Sequence, residues 1–160
     1  MGCNCKAMEN YVVKKIPIVE EFLKTEVIQV FAGKPHETDS WGLGVVRELK
    51  ALAQDGRFKG RIVYIDNFNA DDAHLFFQGA DLMNMWSILE TEASATGYMK
   101  ALLNGVLVLA TKTGGPLEHI REGENGFFIQ KYAVGPHNDS AVRPPTPEGI
   151  VETLVSASSV

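Results

Sequence analysis

The chain has 160 residues, of which 45% are hydrophobic and 22% charged, a composition typical of one globular domain with its own core. Its net charge of −5 and its scattered lysines and arginines offer no basic face, so nucleic acid is not an expected partner. No apolar run approaches the roughly 20 residues that cross a bilayer, and no signal-peptide pattern is present. We therefore expect a cytoplasmic protein without a membrane partner.

Residues 1–10 contain both cysteines of the chain, Cys3 and Cys5. No histidine or further cysteine lies at ligand spacing, so the pair is a weak signal for a metal site, and its close spacing disfavours a disulfide. We therefore expect no metal site and interpret residues 1–10 as a disordered or expression-derived tail.

Apolar runs of strand length alternate with helical patterns along the rest of the chain, which is typical of a parallel sheet covered by helices. The first strand is predicted in "VIQVFAG", residues 27–33. The first helix is predicted to begin with Ser40 as its N-cap and to end at Gly56. Its apolar residues share one predicted face: Leu43, Val46, Leu49, Leu52 and Ala53.

Three further strands are predicted in "GRIVYIDN", "ADLMNMW" and "VLVLATKTGG", residues 60–67, 80–86 and 106–115. The helices between them are predicted in "ADDAHLFFQG" and "TGYMKALLNG", and each ends on a glycine that can adopt the left-handed conformation. A short helix, "PLEHIREG", starts at Pro116. An irregular loop then covers residues 133–145, and the last helix begins near Thr146.

These elements predict an α/β fold, a single doubly wound, Rossmann-like parallel-sheet domain over residues 1–160. In such folds a ligand binds in the crevice beyond the carboxyl ends of the strands. Polar and glycine-rich segments follow each predicted strand, at residues 33–39, 66–72, 90–100 and 111–119. The sequence therefore places the candidate site at this edge of the sheet.

A run of small residues, 93–97, enters the third predicted helix. Its backbone N–H groups and the helix dipole favour an anion, although the run has neither Walker A nor dinucleotide-binding spacing. Lys100, about one turn further on, would bring an amine close to such an anion. From the residues alone, a plain N-cap followed by an exposed lysine is the simpler interpretation.

The stretch "TEASATGYMKALLNG", residues 91–105, is more specific. It resembles the cofactor motif of the α-glucan phosphorylases, Thr-Glu-Ala-Ser-Gly-Thr-(Gly/Ser)-x-Met-Lys-x-x-x-Asn-Gly, with Ala95 in place of a glycine. Two more stretches are similar to family segments in the same order, "IQVFAGKPHETD" and "FKGRIVYIDNFNADDAHLFFQGADL". The resemblance implies the C-terminal half of a two-domain GT-B fold that carries pyridoxal 5′-phosphate.

The resemblance also implies roles for individual residues. Lys100 would form the Schiff base with the cofactor aldehyde, and Thr96 and Gly97 would donate hydrogen bonds to the cofactor phosphate. Phe68 would take the place of a tyrosine beside the cofactor ring, and Asn69 would stand where some members have arginine and others aspartate. The hydroxyls of the transferred glucose would contact Glu92, Ala93, Ser94 and Ala95.

The implied reaction is phosphorolysis of α-1,4-glucan by inorganic phosphate to give glucose 1-phosphate. Lys14 and Lys15 can stand for the Lys-Arg pair of the substrate-phosphate site, but the arginine expected upstream falls near Glu9 and is absent. The family's N-terminal domain is also absent from these 160 residues. We therefore expect the isolated chain to be inactive, and its uncovered apolar surface to favour self-association as a homo-oligomer.

Two alternatives stay open. The stretch "ATKTGGPLEHIREGENGFFI" resembles nucleotide-sugar glycosyltransferases of GT-B fold, in which two glutamates lie eight residues apart. Glu92 matches the first, but Lys100 occupies the second position and cannot accept a hydrogen bond from a ribose hydroxyl. The chain can also be a non-catalytic fragment that only binds cofactor or glucan. His36 and His119 are interpreted as surface residues, since neither has a paired acid.

Overall fold

The computed structural model of the protein describes residues 24, 26–85, 96–130, 149–150 and 152–153. Within these residues the chain forms five strands and four helices. In chain order they are β1 (Gln29–Ala32), α1 (Ser40–Gln54), β2 (Ile62–Ile65), α2 (Ala73–Gly79), β3 (Leu82–Met85), α3 (Gly97–Leu103), β4 (Leu107–Ala110), α4 (Pro116–His119) and β5 (Gly126–Phe128). Gly149, Ile150, Glu152 and Thr153 are also helical. The predictions for residues 1–10, Trp86 and the loop 133–145 lie outside the described residues.

The chain divides into two compact units, Met1–Ala73 and His74–Val160. In the first unit β1 pairs with β2, and in the second β4 lies between β3 and β5. All of these pairs are parallel, which confirms the predicted strand direction. The four predicted strands are all present, although each is shorter than its apolar run. The single-domain organisation over residues 1–160 stays a prediction.

The core of the first unit lies between α1 and one face of the β1–β2 sheet. Phe31 and Ile62 from the strands pack against Val45 and Leu49 from the helix, and Phe58 closes the cluster. The predicted buried face of α1 begins with Leu43 and Val46, whereas the observed face begins one residue earlier, with Gly42 and Val45. Leu43, predicted to be inside, is 38% exposed because the helix turns Gly42, Val45 and Leu49 toward the sheet.

The start of α1 also corrects the sequence prediction. The N-cap is Asp39, whose Oδ1 accepts a hydrogen bond from the Gly42 backbone N–H at 2.9 Å, and Ser40 is the first helical residue. Gly42 leaves room for this carboxylate, because a Cβ at that position would lie 2.5 Å from Asp39 Oδ2. Aspartate is as good an N-cap as serine, and here the backbone geometry selects it.

The core of the second unit surrounds β4. Val108, Leu109 and Ala110 are fully buried because strands pair with β4 on both sides and helices cover it. Buried side chains from the surrounding elements complete the cluster: Met85, Tyr98, Ala101, Val106, Ile120 and Phe128. The outer strand β5 was not among the predicted elements. Its Gly126 approaches β4 closely, since a Cβ there would lie 2.3 Å from the Val108 carbonyl oxygen.

The ends of the two middle helices differ from each other. Gly105, after α3, has a φ of 76°, which confirms its predicted left-handed conformation. Gly79, at the end of α2, does not adopt a positive φ, so the same prediction is wrong there. The helix that begins at Pro116 has this proline at its N-terminus as predicted, but it ends at His119 rather than at Gly123.

The N-cap can be tested by replacing Asp39 with alanine. Loss of the Asp39–Gly42 hydrogen bond should lower the free energy of unfolding by about 1 kcal/mol, measured by urea unfolding followed by circular dichroism. Ser40→Ala is the matched control, and its effect should stay within about 0.5 kcal/mol. Equal losses in the two variants would contradict the assignment of Asp39 as the cap.

The close approach of β5 to β4 predicts that Gly126→Ala is destabilising. The added methyl would overlap the Val108 carbonyl and push the strands apart, at a cost of about 1–3 kcal/mol. Thermal unfolding should therefore show a lower melting temperature. Gly79→Ala serves as the control, since a methyl there meets no atom within 4 Å and should cause no loss.

Candidate active site

The first turn of α3 carries three of the predicted site residues, Thr96, Gly97 and Lys100. Thr96 is the N-cap, but its side chain makes no capping hydrogen bond. The Lys100 N–H donates to the Thr96 carbonyl at 3.4 Å, so the helix N–H groups that precede it have no intrahelical acceptor. This turn therefore presents several hydrogen-bond donors and a hydroxyl beside one amine.

Lys100 lies on the outer side of α3. Its neighbours Tyr98 and Ala101 are fully buried in the core of the second unit, whereas Lys100 is exposed. Residues two apart on a helix point in nearly opposite directions, so anchoring Tyr98 inside directs Lys100 outward. The ion pairs among the described residues do not involve Lys100. Within the described part of the chain, Lys100 therefore faces solvent.

Gly97 and Asn104 explain two further positions of the motif. A Cβ at Gly97 would lie 3.0 Å from the Met83 methyl carbon, so a small residue lets β3 and the start of α3 pack together. The Asn104 side chain donates to the Lys100 carbonyl at 2.8 Å, and Gly105 then reverses the chain in the left-handed conformation. The Asn-Gly pair of the motif therefore ends the lysine helix.

Tyr98 links α3 to α4. Its hydroxyl lies 2.8 Å from His119 Nδ1, which also lies 3.0 Å from the Gly115 carbonyl oxygen. The Gly115 carbonyl can only accept, so a protonated Nδ1 donates to it and to the Tyr98 oxygen, whereas an unprotonated Nδ1 accepts from the Tyr98 hydroxyl alone. Burial, and to a lesser degree the negative charge of Glu118, raises the pKa of the Tyr98 phenol above its ordinary value.

Sequence reasoning did not find the Tyr98–His119 pair. His119 is exposed, as predicted, but Nδ1 of its ring makes a hydrogen bond with the Tyr98 hydroxyl. The two residues lie 21 positions apart, so no local spacing signals the contact. His36 fits its interpretation as a surface residue, because it is exposed and its ring bonds the nearby Thr38.

The end of β4 contributes less to a ligand site than its sequence suggests. Thr111 and Thr113 are buried, and the Thr113 N–H donates to the Thr111 carbonyl at 2.8 Å. Lys112 is exposed, but its amine donates to Gln130 at 2.9 Å. The polar residues of this turn therefore stabilise the protein itself.

The end of β2 carries Phe68 and Asn69, in the first unit. Phe68 is half-buried, and Asn69 is exposed at the turn that precedes α2. The Asn69 side-chain oxygen, Oδ1, accepts from the Asp71 and Asp72 backbone N–H groups at 2.8 and 3.1 Å, and the side-chain Nδ2 donates to the Asp72 carboxylate at 2.6 Å. Asn69 thus has a structural role in this turn, and its contact with a cofactor stays a prediction.

The remaining predicted site residues lie outside the described part of the chain: Lys14, Lys15, Glu92, Ala93, Ser94 and Ala95. Among the described residues, no group of three or more His, Cys, Asp or Glu side chains is arranged to hold a metal ion. No helix in that part is long and apolar enough to cross a membrane.

One cavity in the second unit has a volume of about 180 Å³. It lies beside β5 and the last helical residues, and Glu122, Glu152 and Thr153 are among its lining residues. None of the predicted site residues lines it. The candidate site is therefore the open surface at the first turn of α3 and not this cavity.

The carbohydrate phosphorylase family profile matches residues 15–135, a range that includes Lys100 and its whole motif. The chain belongs to this family. Glycogen phosphorylase from Aquifex aeolicus is 33% identical to it over 105 residues, which are 66% of this chain and 15% of the relative. Maltodextrin phosphorylase from Thermococcus litoralis is 32% identical over 110 residues, or 69% of this chain and 13% of the relative.

Solved structures show the same fold. Sucrose-phosphate synthase from Thermosynechococcus elongatus matches 98% of this phosphorylase-family chain and 34% of its own, with a TM-score of 0.65 and 14% identity. HepE from Anabaena, in complex with UDP, matches 89% of this chain and 34% of its own, with a TM-score of 0.62 and 18% identity. The predicted α/β fold of a GT-B half is confirmed.

The family member described here spans a small part of its curated relatives. It covers 15% of the Aquifex aeolicus enzyme and 13% of the Thermococcus litoralis enzyme. Human muscle glycogen phosphorylase is 40% identical over 70 residues, or 43% of this chain and 8% of that protein. The percentage identity is thus higher over this shorter segment, and the relative is a much longer enzyme.

The raised pKa of Tyr98 predicts a loss of stability at alkaline pH. The folded phenol keeps its proton at a pH where the unfolded one releases it, so the stabilisation is complete below the unfolded pKa of about 10. It is lost as the pH rises through the folded pKa. Urea unfolding across this range should show a smaller alkaline loss in Tyr98→Phe than in the wild type, and identical pH profiles would contradict the shift.

Proposed function

We propose that this chain is the cofactor-binding part of an α-glucan phosphorylase and that Lys100 anchors pyridoxal 5′-phosphate. The observation that carries the proposal is the position of Lys100. It lies within the matched family region, exposed on the first turns of α3, and is absent from the ion pairs of the described residues. An aldehyde condenses with the neutral form of a lysine amine, so the side chain must be accessible and able to release its proton.

The first turn of α3 also fits the phosphate of this cofactor. A phosphate group requires hydrogen-bond donors, and the N–H groups before Lys100 have no intrahelical acceptor. The Thr96 hydroxyl is not used for capping and is a further donor. Because these donors and the amine lie on one turn, Thr96 and Gly97 would orient the phosphate while Lys100 holds the other end of the cofactor.

When bound, the cofactor supplies a phosphate group that acts on the substrate phosphate as a proton donor or electrostatic partner. The chain supplies the surroundings. We propose that Glu92 accepts from the glucose hydroxyls, with Ala93, Ser94 and Ala95 contributing backbone contacts. Lys14 and Lys15 would place positive charge beside the substrate phosphate and so balance the negative charge of the phosphates that flank a cation-like transition state. Phe68 and Asn69 are proposed beside the cofactor ring.

The proposed reaction of the whole enzyme is phosphorolysis of α-1,4-glucan to glucose 1-phosphate. The chain spans 13 to 15% of the first two relatives, so we expect the rest of the glucose site to come from the family's N-terminal domain. We expect the isolated chain to bind cofactor without turnover. We also expect the protein to act in the cytoplasm, and the isolated chain to self-associate through the surface that the other domain would cover.

A nucleotide-sugar glycosyltransferase is the second candidate. The likeness of the fold to a UDP-bound protein favours it, although identities of 14 to 18% support the fold alone. The exposed amine of Lys100 argues against it, since an ammonium group has no lone pair to accept from a ribose hydroxyl. Calorimetric titration with UDP-glucose and with pyridoxal phosphate separates the two candidates.

Lys100→Ala tests the anchoring role. The wild-type protein, incubated with pyridoxal phosphate and dialysed, should keep the absorption band of a covalently bound cofactor, and Lys100→Ala should lose it. Lys112→Ala is the matched control, because Lys112 is also an exposed lysine of the second unit but is hydrogen-bonded to Gln130. It should keep the band.

A wild-type protein without a band, or a Lys100→Ala variant that keeps one, would contradict the proposed function. In the first case, binding of UDP-glucose would favour the glycosyltransferase candidate. In the second case the cofactor would be attached elsewhere in the chain, and the resemblance of the lysine motif would carry no functional meaning.

A further inference from the structure

We propose that His119 is a positioning residue for Lys100 and acts through its hydrogen bond to Tyr98. The inference rests on the proposed role of Lys100 as the cofactor anchor. It concerns a contact that joins α3 to α4 within the second unit, between two side chains 21 residues apart. Neither residue is assigned a contact with the cofactor itself.

The lysine helix depends on contacts with other elements for its orientation. It has only seven residues, and so short a helix is not stable alone. The Thr96 side chain does not cap it. Apolar packing of Tyr98 and Ala101 fixes the depth of the helix in the core, but such contacts are not directional. A directional contact near the first turn restricts its rotation further than packing does.

The Tyr98 hydroxyl supplies this directional contact. Tyr98 has no exposed surface, and its hydroxyl lies 2.8 Å from His119 Nδ1. A buried hydroxyl without a partner is costly, so the bond restricts where the first turn of α3 can lie. Lys100 follows two residues later, on the opposite side of the same turn. A rotation of α3 that displaces Lys100 would therefore stretch or break this hydrogen bond.

His119 is a suitable anchor because its own position is fixed. Its Nδ1 lies 3.0 Å from the Gly115 carbonyl, and its carbonyl accepts from the Asn125 side chain at 3.0 Å. The preceding Pro116 is buried at the start of α4 and restricts the backbone there. These contacts hold the turn that follows β4 in place. The hydrogen bond between Tyr98 and His119 then couples the position of α3 to that of this turn.

Site-specific labelling of Lys100 measures this positioning. The protein is mixed with pyridoxal phosphate, whose aldehyde condenses with an amine with loss of water, and borohydride then supplies a hydride that makes the C–N bond permanent. Peptide mass spectrometry gives the labelled fractions of Lys100 and of Lys59, an exposed lysine in the first unit. Their ratio reports the special reactivity of Lys100, with Lys59 as the internal reference.

Tyr98→Phe and His119→Ala should each lower the Lys100-to-Lys59 ratio roughly two- to tenfold, the range expected for one hydrogen bond. The double variant should lose no more than either single variant, because both remove the same bond. His119→Asn, which keeps a polar group near the Nδ1 position, should restore part of the ratio. His36→Ala, which removes another exposed histidine, should leave it unchanged.

Melting temperatures distinguish positioning from a purely structural role. A structural role would lower the melting temperatures of the variants, but the labelling ratio measured well below them would stay at the wild-type value, and that result would overturn the inference. Additive losses in the double variant would also overturn it. If Lys100 of the wild-type protein is labelled no more than Lys59, the proposed function is contradicted, and so is the inference that rests on it.

Discussion

Strand β4 is hydrogen-bonded to parallel neighbours on both sides, and the geometry of the second unit depends on this pairing. A strand paired on both edges and covered by helices must be apolar, and Val108, Leu109 and Ala110 are fully buried. Its position fixes the elements that flank it in sequence. α3 enters it through the left-handed turn at Gly105, and α4 leaves at its carboxyl end. The helix that carries the candidate site thus leads directly into a strand that is buried over three of its four residues.

The residues of the lysine motif divide between packing and chemistry. Tyr98 and Ala101 face the core, Asn104 ends the helix, and Lys100 alone of this group presents a charged side chain to solvent. A flexible, hydrated lysine becomes a defined anchor only if the backbone beneath it is fixed. Under the proposed function, the buried face of α3 would contribute by fixing the backbone that carries Lys100.

The positions of the predicted strands could be found because buried parallel strands are continuous apolar runs. The short strand β5 and the N-cap of α1 could not, because they depend on backbone geometry. Sequence reasoning missed β5, since three residues after "GEN" give no periodic signal. It chose Ser40 over Asp39 as the cap because neighbouring residues are equally good candidates. The same holds for the site. The motif predicts Lys100 as the cofactor lysine, but the partner of Tyr98 lies 21 residues away and only the fold brings it close.

The fold of this chain is shared with proteins of different chemistry, as the likeness to sucrose-phosphate synthase and to UDP-bound HepE demonstrates. Function must then be decided by individual side chains at one edge of the sheet. At the exposed position on α3, a glutamate would accept from hydroxyl groups, whereas Lys100 donates hydrogen bonds and offers a nucleophilic amine when deprotonated. Replacing a hydrogen-bond acceptor with an amine at this one position changes the class of ligand that the turn can bind. The buried contacts that orient the turn need not change. The residues that orient α3 lie on its buried face, and the residue that would bind the ligand lies on its exposed face. The same architecture can therefore carry either chemistry.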